Sequence, residues 1–262
     1  MWTAITRRVS DFISRCELEF LPRSPIDAAK AAAQHLAYEN CLRQLGFDVI
    51  SLSPDPAFPD GLFVEDPAVV LDEVAVMCRM GAKSRRGEAD AIAAALAPYR
   101  RREWIREPAT IEGGDVMRIG KTLFCGISRR TNREGARQLA QATERFSYRV
   151  VPAAVSGCLH LKSAICPLGA DAVIANRNLI DMQPFEDLSV FDVADDEPGA
   201  ANVLEAAGKI IMPASFPKTR RMLEKAGFEV IALDISELQK AEAGVTCSSL
   251  IFKAEGNRPL TA

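Results

Sequence analysis

Two segments of the chain are near copies: Gly46 to Leu52 reads GFDVISL and Gly227 to Leu233 reads GFEVIAL, each after a stretch with apolar residues at helical spacing. A glycine that stops a helix, with a β-rich run directly behind it, defines a helix-strand module. A chain that repeats the module is constrained to a fold built from copies of one unit. Hairpin signals stand in front of several of the helices. Asp115 to Ile119, Gly120-Lys121 and Thr122 to Cys125 read as strand, tight turn and strand, and a helix from about Arg133 to Phe146 leads to Tyr148 to Val151. Ala201 to Met212, turning around Gly208-Lys209, precedes the helix Thr219 to Ala226, and Pro67 to Arg79, turning near Asp72-Glu73, precedes the helix Arg85 to Ala97 and a strand near Trp104-Ile105. Leu161 to Ala175, turning at Gly169 to Asp171, precedes a weak helix and Val190 to Val193. The remaining unit holds the helix Asp27 to Leu45 and is completed when Thr246 to Phe252 pairs near Thr3 to Val9. The expectation is one domain over residues 1–262, a five-bladed α/β propeller with pseudo-five-fold symmetry closed by its own termini. The alternative is an ordinary α/β or α+β sheet whose parts are alike by chance.

The heads of the five hairpins carry the chemistry. Glu65-Asp66, Glu112-Gly113-Gly114-Asp115, His160, Asn202 and Cys247 recur 42 to 49 residues apart, so a ring brings them together on its axis. A thiolate is a strong nucleophile at neutral pH and needs a partner that lowers its pKa or moves its proton. Carboxylates beside it discourage ionisation unless the ligand brings positive charge, and a planar guanidinium satisfies two carboxylates with its fork of donors. Taken singly, Glu65-Asp66 also fits a turn before Pro67, the Gly113-Gly114 segment a permissive loop, and Cys247 a small buried hydrophobe. The shared phase favours the site. His35, the other histidine, lies inside the first long helix, where a packing or surface role is expected.

Composition removes other classes. With 32 Lys plus Arg against 35 Asp plus Glu, three Tyr and two Trp, the chain offers no basic, aromatic-studded face for a nucleic acid. The longest apolar run, Ala91 to Ala97, is far below the roughly 20 residues of a membrane span. The N-terminal segment has no apolar core or cleavage pattern of a secretory signal. Seven cysteines without a CxxC pair fit a reducing compartment, so the expected setting is cytoplasmic. Cys16, on an N-terminal loop, is expected to be exposed.

At these residues the chain resembles the dimethylarginine dimethylaminohydrolases of the guanidino-group-modifying superfamily. The resemblance runs nearly end to end through FPDGLFVEDPAVV (Phe58 to Val70), GAKSRRGE (Gly81 to Glu88), IEGGDV (Ile111 to Val116), SRRTNREGARQL (Ser128 to Leu139), LHLKS (Leu159 to Ser163), AANVL (Ala200 to Leu204) and GVTCSSLIF (Gly244 to Phe252). It implies a five-bladed α/β propeller with an axial site. It also implies Cys247 as nucleophile, His160 as general acid and base, and Asp66 and Glu112 as the guanidinium-binding carboxylates. Arg85 and Arg130 match the arginines that hold a substrate α-carboxylate. Asp60, Phe63, Glu65 and Ala241 fall with the substrate-binding residues, as does Leu18 on a loop that closes over the ligand. The implied reaction hydrolyses Nω-methylated arginine to citrulline through a covalent thiouronium, with no metal and no cofactor. The implied partner is a small guanidino amino acid, and the chain is a monomer or homodimer.

Where the family tends to small or neutral residues on the closing loop, this chain has Glu17 and Glu19. Cys158, two residues before His160, would face the same way on a strand and makes a metal on Cys158, His160 and Cys247 a weak further reading. The rival enzymes are an arginine deiminase-like hydrolase or one for another guanidino amino acid. The rival outside catalysis is a propeller that only binds guanidino compounds.

Overall fold

The computed structural model describes residues 1–254, so the last part of the expected domain, 255–262, lies outside the described residues. It contains five three-stranded sheets, each an antiparallel pair of which one strand also pairs in parallel with a third. In the first blade Trp2–Arg7 pairs antiparallel with Leu250–Lys253 and parallel with Asp48–Leu52, so the two ends of the chain close the ring. The second blade is Ala68–Val70, Val74–Met77 and Arg101–Trp104, and the third is Val116–Ile119, Thr122–Ile127 and Arg149–Ala154. The fourth is Ile165–Pro167, Ala172–Ala175 and Ser189–Asp192, and the fifth is Leu204–Ala206, Lys209–Pro213 and Val230–Leu233. This is the five-bladed α/β propeller that the repeat predicts.

Local chemistry explains most element ends. The helix Ala28–Gln44 starts where the Asp27 side chain accepts the Lys30 N–H at 3.0 Å, and stops at Gly46, whose φ of +88° suits glycine. The helix Arg133–Thr143 is capped by Asn132, which accepts the Gly135 N–H at 2.8 Å. The fifth-blade hairpin turns at Ala207 and Gly208, both with positive φ, one residue earlier than its sequence suggests. The fourth blade departs further: Leu161–Ala164 is a helical turn rather than the start of a strand, and the expected weak helix is replaced by the 3-10 turns Arg177–Leu179 and Gln183–Phe185. Pro184, the middle residue of the second of those turns, has no N–H to give a longer helix.

The core is a ring. Five apolar clusters fill the five gaps between neighbouring blades, and the central strands supply two clusters at once. Val74 and Val76 face the third blade while Ala75 and Met77 face the first. Alternating side chains thus bury both faces, which is why these strands read as continuous apolar runs. Cys16, expected on the surface, is fully buried in the cluster between the first and fifth blades. Its thiol is pushed up to about 11 by burial and then by the nearby Asp60. The turns that head the inner strands carry the polar groups.

Candidate active site

The inner strand of each blade is preceded by a turn, and the turns carry the expected residues. Asp66 lies just before Ala68–Val70, and Glu112 sits at the mouth of the 3-10 turn Gly113–Asp115. His160 caps Leu161–Ala164 in extended backbone, and Cys247 is the middle residue of the turn Thr246–Ser248. Asn202 ties two heads together, donating to the Lys162 carbonyl at 2.9 Å and the Thr246 hydroxyl at 3.0 Å while accepting the Thr246 N–H.

His160 stands between two carboxylates. Its Nε2 is 2.7 Å from Glu112 Oε2 and its Nδ1 is 3.9 Å from Asp66 Oδ1. The backbone reaches this close only through glycine: a Cβ on Gly114 would lie 2.7 Å from His160 Nδ1 and 2.8 Å from Asp66 Oδ1. That approach lets the Gly114 N–H donate to Asp66 Oδ1 at 3.1 Å. Burial disfavours the charged imidazole, but Asp66, Asp115 and Glu112 outweigh it and raise His160 to about 9. Burial likewise pushes Glu112 up, yet its hydrogen bond to His160 and the charges of His160, Arg85 and Arg130 bring it to about 2. At neutral pH the two are an imidazolium-carboxylate pair. Cys247 is the opposite case. Burial first, then Glu65 and Asp66, push its thiol above the ordinary value, so the resting group is the thiol.

The two arginines are wired differently. Arg85 donates Nε and Nη2 to Glu88 at 2.9 Å each and Nη1 to Asp66 Oδ2 at 2.9 Å, a buried fork that fixes Asp66. Arg130 is split between Glu112, whose two oxygens lie 3.4 Å from Nη1, and Glu19 of the loop 16–21, which its Nε contacts. The loop is pinned elsewhere too. The Glu17 N–H reaches Asp60 at 3.1 and 3.2 Å, and one oxygen of Glu242 accepts the N–H groups of Glu19, Phe20 and Leu21 at 3.0, 2.6 and 2.6 Å.

Asp60, Phe63, Asp66, Arg85, Arg130, His160, Ala241 and Cys247 share the wall of one chamber. Its free space of 20 Å³ holds about one water, less than an amino-acid ligand needs. Three expected residues stand outside that wall. Glu112 is wholly buried behind His160, and Leu18 packs on the cluster between the first and fifth blades. Glu65 turns away to Lys162 at 2.5 Å and Thr246 at 2.8 Å and lines a separate axial cavity. The chamber also takes in Glu17, Leu159, Ser163, Glu242 and Ala243. Of the groups missed, Glu88 had a signal, sitting three residues beyond Arg85; Glu242 had none. Among the described residues, the His, Cys, Asp and Glu groups close enough to share a metal are Asp66, Glu112 and His160. Arg85 and the imidazolium already answer those carboxylates, and Cys158 and Cys247 are not in the set.

The family described as N,N dimethylarginine dimethylhydrolase, eukaryotic, matches residues 22–251. The chain is 37% identical to the N(G),N(G)-dimethylarginine dimethylaminohydrolase of Streptomyces coelicolor, over 94% of this chain and 95% of that protein. It is 36% identical to the protein of the same name from Pseudomonas aeruginosa, over 86% and 90%. A solved Pseudomonas aeruginosa structure, a cysteine-to-serine variant complexed with citrulline, superposes with a TM-score of 0.92 at 34% identity, covering 96% of this chain and all (100%) of that one. Motifs, propeller and relatives agree: the chain belongs to the N,N-dimethylarginine dimethylhydrolase family.

Proposed function

We propose that this chain hydrolyses Nω-methylated arginines, asymmetric dimethylarginine and monomethylarginine, to citrulline and dimethylamine or methylamine. The observation that carries this reading is the imidazolium of His160 clamped by Glu112 and Asp66 beside the turn that bears Cys247. Asp66 binds the substrate guanidinium and Glu112 works on it from behind His160, so that the electron-poor guanidino carbon faces Cys247 Sγ. The cationic substrate offsets the carboxylates that hold the thiol neutral, and the thiol proton leaves to solvent. The thiolate adds to the guanidino carbon. His160 then gives its proton to the departing dimethylamine as the C–N bond breaks, leaving a thiouronium on Cys247. Neutral His160 takes a proton from water as its oxygen adds to the same carbon; the C–S bond then breaks, and the sulfur leaves with the remaining hydroxyl proton, which gives the ureido group of citrulline and restores the Cys247 thiol. Arg130, with Arg85 beside it, holds the substrate α-carboxylate, and Asp60, Phe63, Leu18 and Ala241 shape the amino-acid end. Glu65, turned toward Lys162 and Thr246, stands apart from the substrate.

We also propose that residues 1–262 act as one unit, because each apolar cluster joins two blades. The seven free thiols support a reducing, cytoplasmic setting. The test is citrulline release from asymmetric dimethylarginine, monomethylarginine, arginine and agmatine in parallel, with Cys247→Ser as control. Turnover of the methylated arginines alone, abolished by the substitution, is the expected result. Preferential turnover of arginine would make the chain a deiminase, and no turnover in folded, reduced protein would leave a binding propeller.

A further inference from the structure

The cations of the chamber are already matched. Arg85 is neutralised by Glu88 and Asp66, and His160 by Glu112. Arg130, 4% exposed at its side chain, is held more loosely: its Nη1 lies 3.4 Å from the Glu112 oxygens and its Nε contacts the Glu19 carboxylate from 111 residues away, which makes it the cation most open to a ligand carboxylate. Glu19 is not needed there to hold the loop. Its neighbours are fixed through their backbone by Glu242 and Asp60, and the Glu17 side chain is held by Ser84 at 2.5 Å.

We propose that Glu19 is a specificity-determining residue that competes with the ligand's α-carboxylate for Arg130. Resting on the reading that the substrate is a guanidino amino acid, the inference is that Glu19 stands where that carboxylate needs charge. A carboxylate arriving at Arg130 either displaces Glu19 or sits beside it, and like charges at contact distance repel even in water. A guanidino amine without a carboxylate has no such conflict. Glu19 therefore weakens binding of carboxylate-bearing ligands selectively, and narrows the preference for amino acids over their decarboxylated counterparts. It acts through Arg130 and takes no part in bond making.

The experiment measures dissociation constants by calorimetry in the Cys247→Ser protein, which binds without turning over, with and without Glu19→Gln. The probes are asymmetric dimethylarginine and its decarboxylated counterpart, dimethylagmatine. Removing the charge is expected to tighten dimethylarginine by about fivefold or more, while dimethylagmatine moves by less than about twofold. An equal shift in both ligands would make Glu19 a structural latch and overturn the proposal; so would no shift, or no binding by either ligand. Citrulline release by the wild-type chain is read separately. Its absence alongside the selective shift would defeat the catalytic reading and leave this one standing.

Discussion

Glu65 and Asp66 are neighbours in the chain and serve two regions that differ in nearly every respect. Asp66 faces the chamber, which has 20 Å³ of free space, a closed loop and a dense set of charges. Glu65 faces the axial cavity, which has 560 Å³ and is lined by the inner strands of all five blades, with apolar Val69, Leu71, Met117 and Leu204 among its walls. Between the two lies the ion pair of Glu65 with Lys162, extended by Thr246 next to Cys247. The larger space thus has no cysteine or histidine on its wall, and the smaller has both. What gathers the titratable groups at the smaller one is the set of turns ahead of the inner strands, where one step along the chain moves a side chain from one side of this layer to the other. Size is a poor guide to the site, and the clustering of groups with displaced pKa values is a better one.

This contrast ranks substitutions by their effect on turnover. Glu112→Gln, on the chamber side, is expected to lower kcat by about a hundredfold or more, because His160 loses the partner that keeps it an imidazolium. The basic limb of the pH profile moves to lower pH with it. The same pair affects stability. His160 is raised from 6.5 to about 9, so its contribution is full below pH 6.5 and is lost as pH rises through about 9. Glu112 is lowered from 4.5 to about 2, so its contribution is present above pH 4.5 and lost as pH falls through about 2. Urea unfolding across pH 6 to 10 is expected to show the wild-type chain weakening, and Glu112→Gln weakening less; parallel curves would break the assignment.

Lys162→Met cuts the dividing layer from the axial side. It leaves Glu65 buried without its cation, so the loss of stability is about 3 to 5 kcal/mol by chemical denaturation. Turnover per folded molecule stays within about tenfold, because no group that meets the substrate has been removed. A collapse of kcat in folded protein would mean that the two regions are one machine. Trp2→Ala, at the wall of the axial cavity, is the smallest change: activity within about twofold and a stability change of about 1 kcal/mol or less.

How far the fold was legible follows from where side chains are spent. The central strands bury both faces between blades, so Val74 to Met77 and Ile210 to Met212 announce themselves as apolar runs. The axial residues announce themselves by recurring in phase. The misses have physical reasons. The turn at Gly169 to Asp171 predicts a strand running back to Leu161, yet Asp115 accepts the Leu161 N–H at 2.8 Å and a helical turn starts there. Its place on an N-terminal loop predicts an exposed Cys16, yet the first and fifth blades cover it. Glu242 could not be found at all. It has a φ of +59° and holds a loop more than two hundred residues away, and no local pattern encodes such a contact. Glu65 looked equivalent to Asp66, because nothing in the motif says which of two adjacent carboxylates turns toward Lys162.

The central claim is that the guanidino carbon is passed to the sulfur of Cys247. Acid quenching during turnover of asymmetric dimethylarginine, followed by peptide mass spectrometry, tests it most directly. The expected result is a thiouronium adduct on the peptide that carries Cys247, absent in Cys247→Ser. Turnover with no adduct, or an adduct on Cys158 instead, would contradict it.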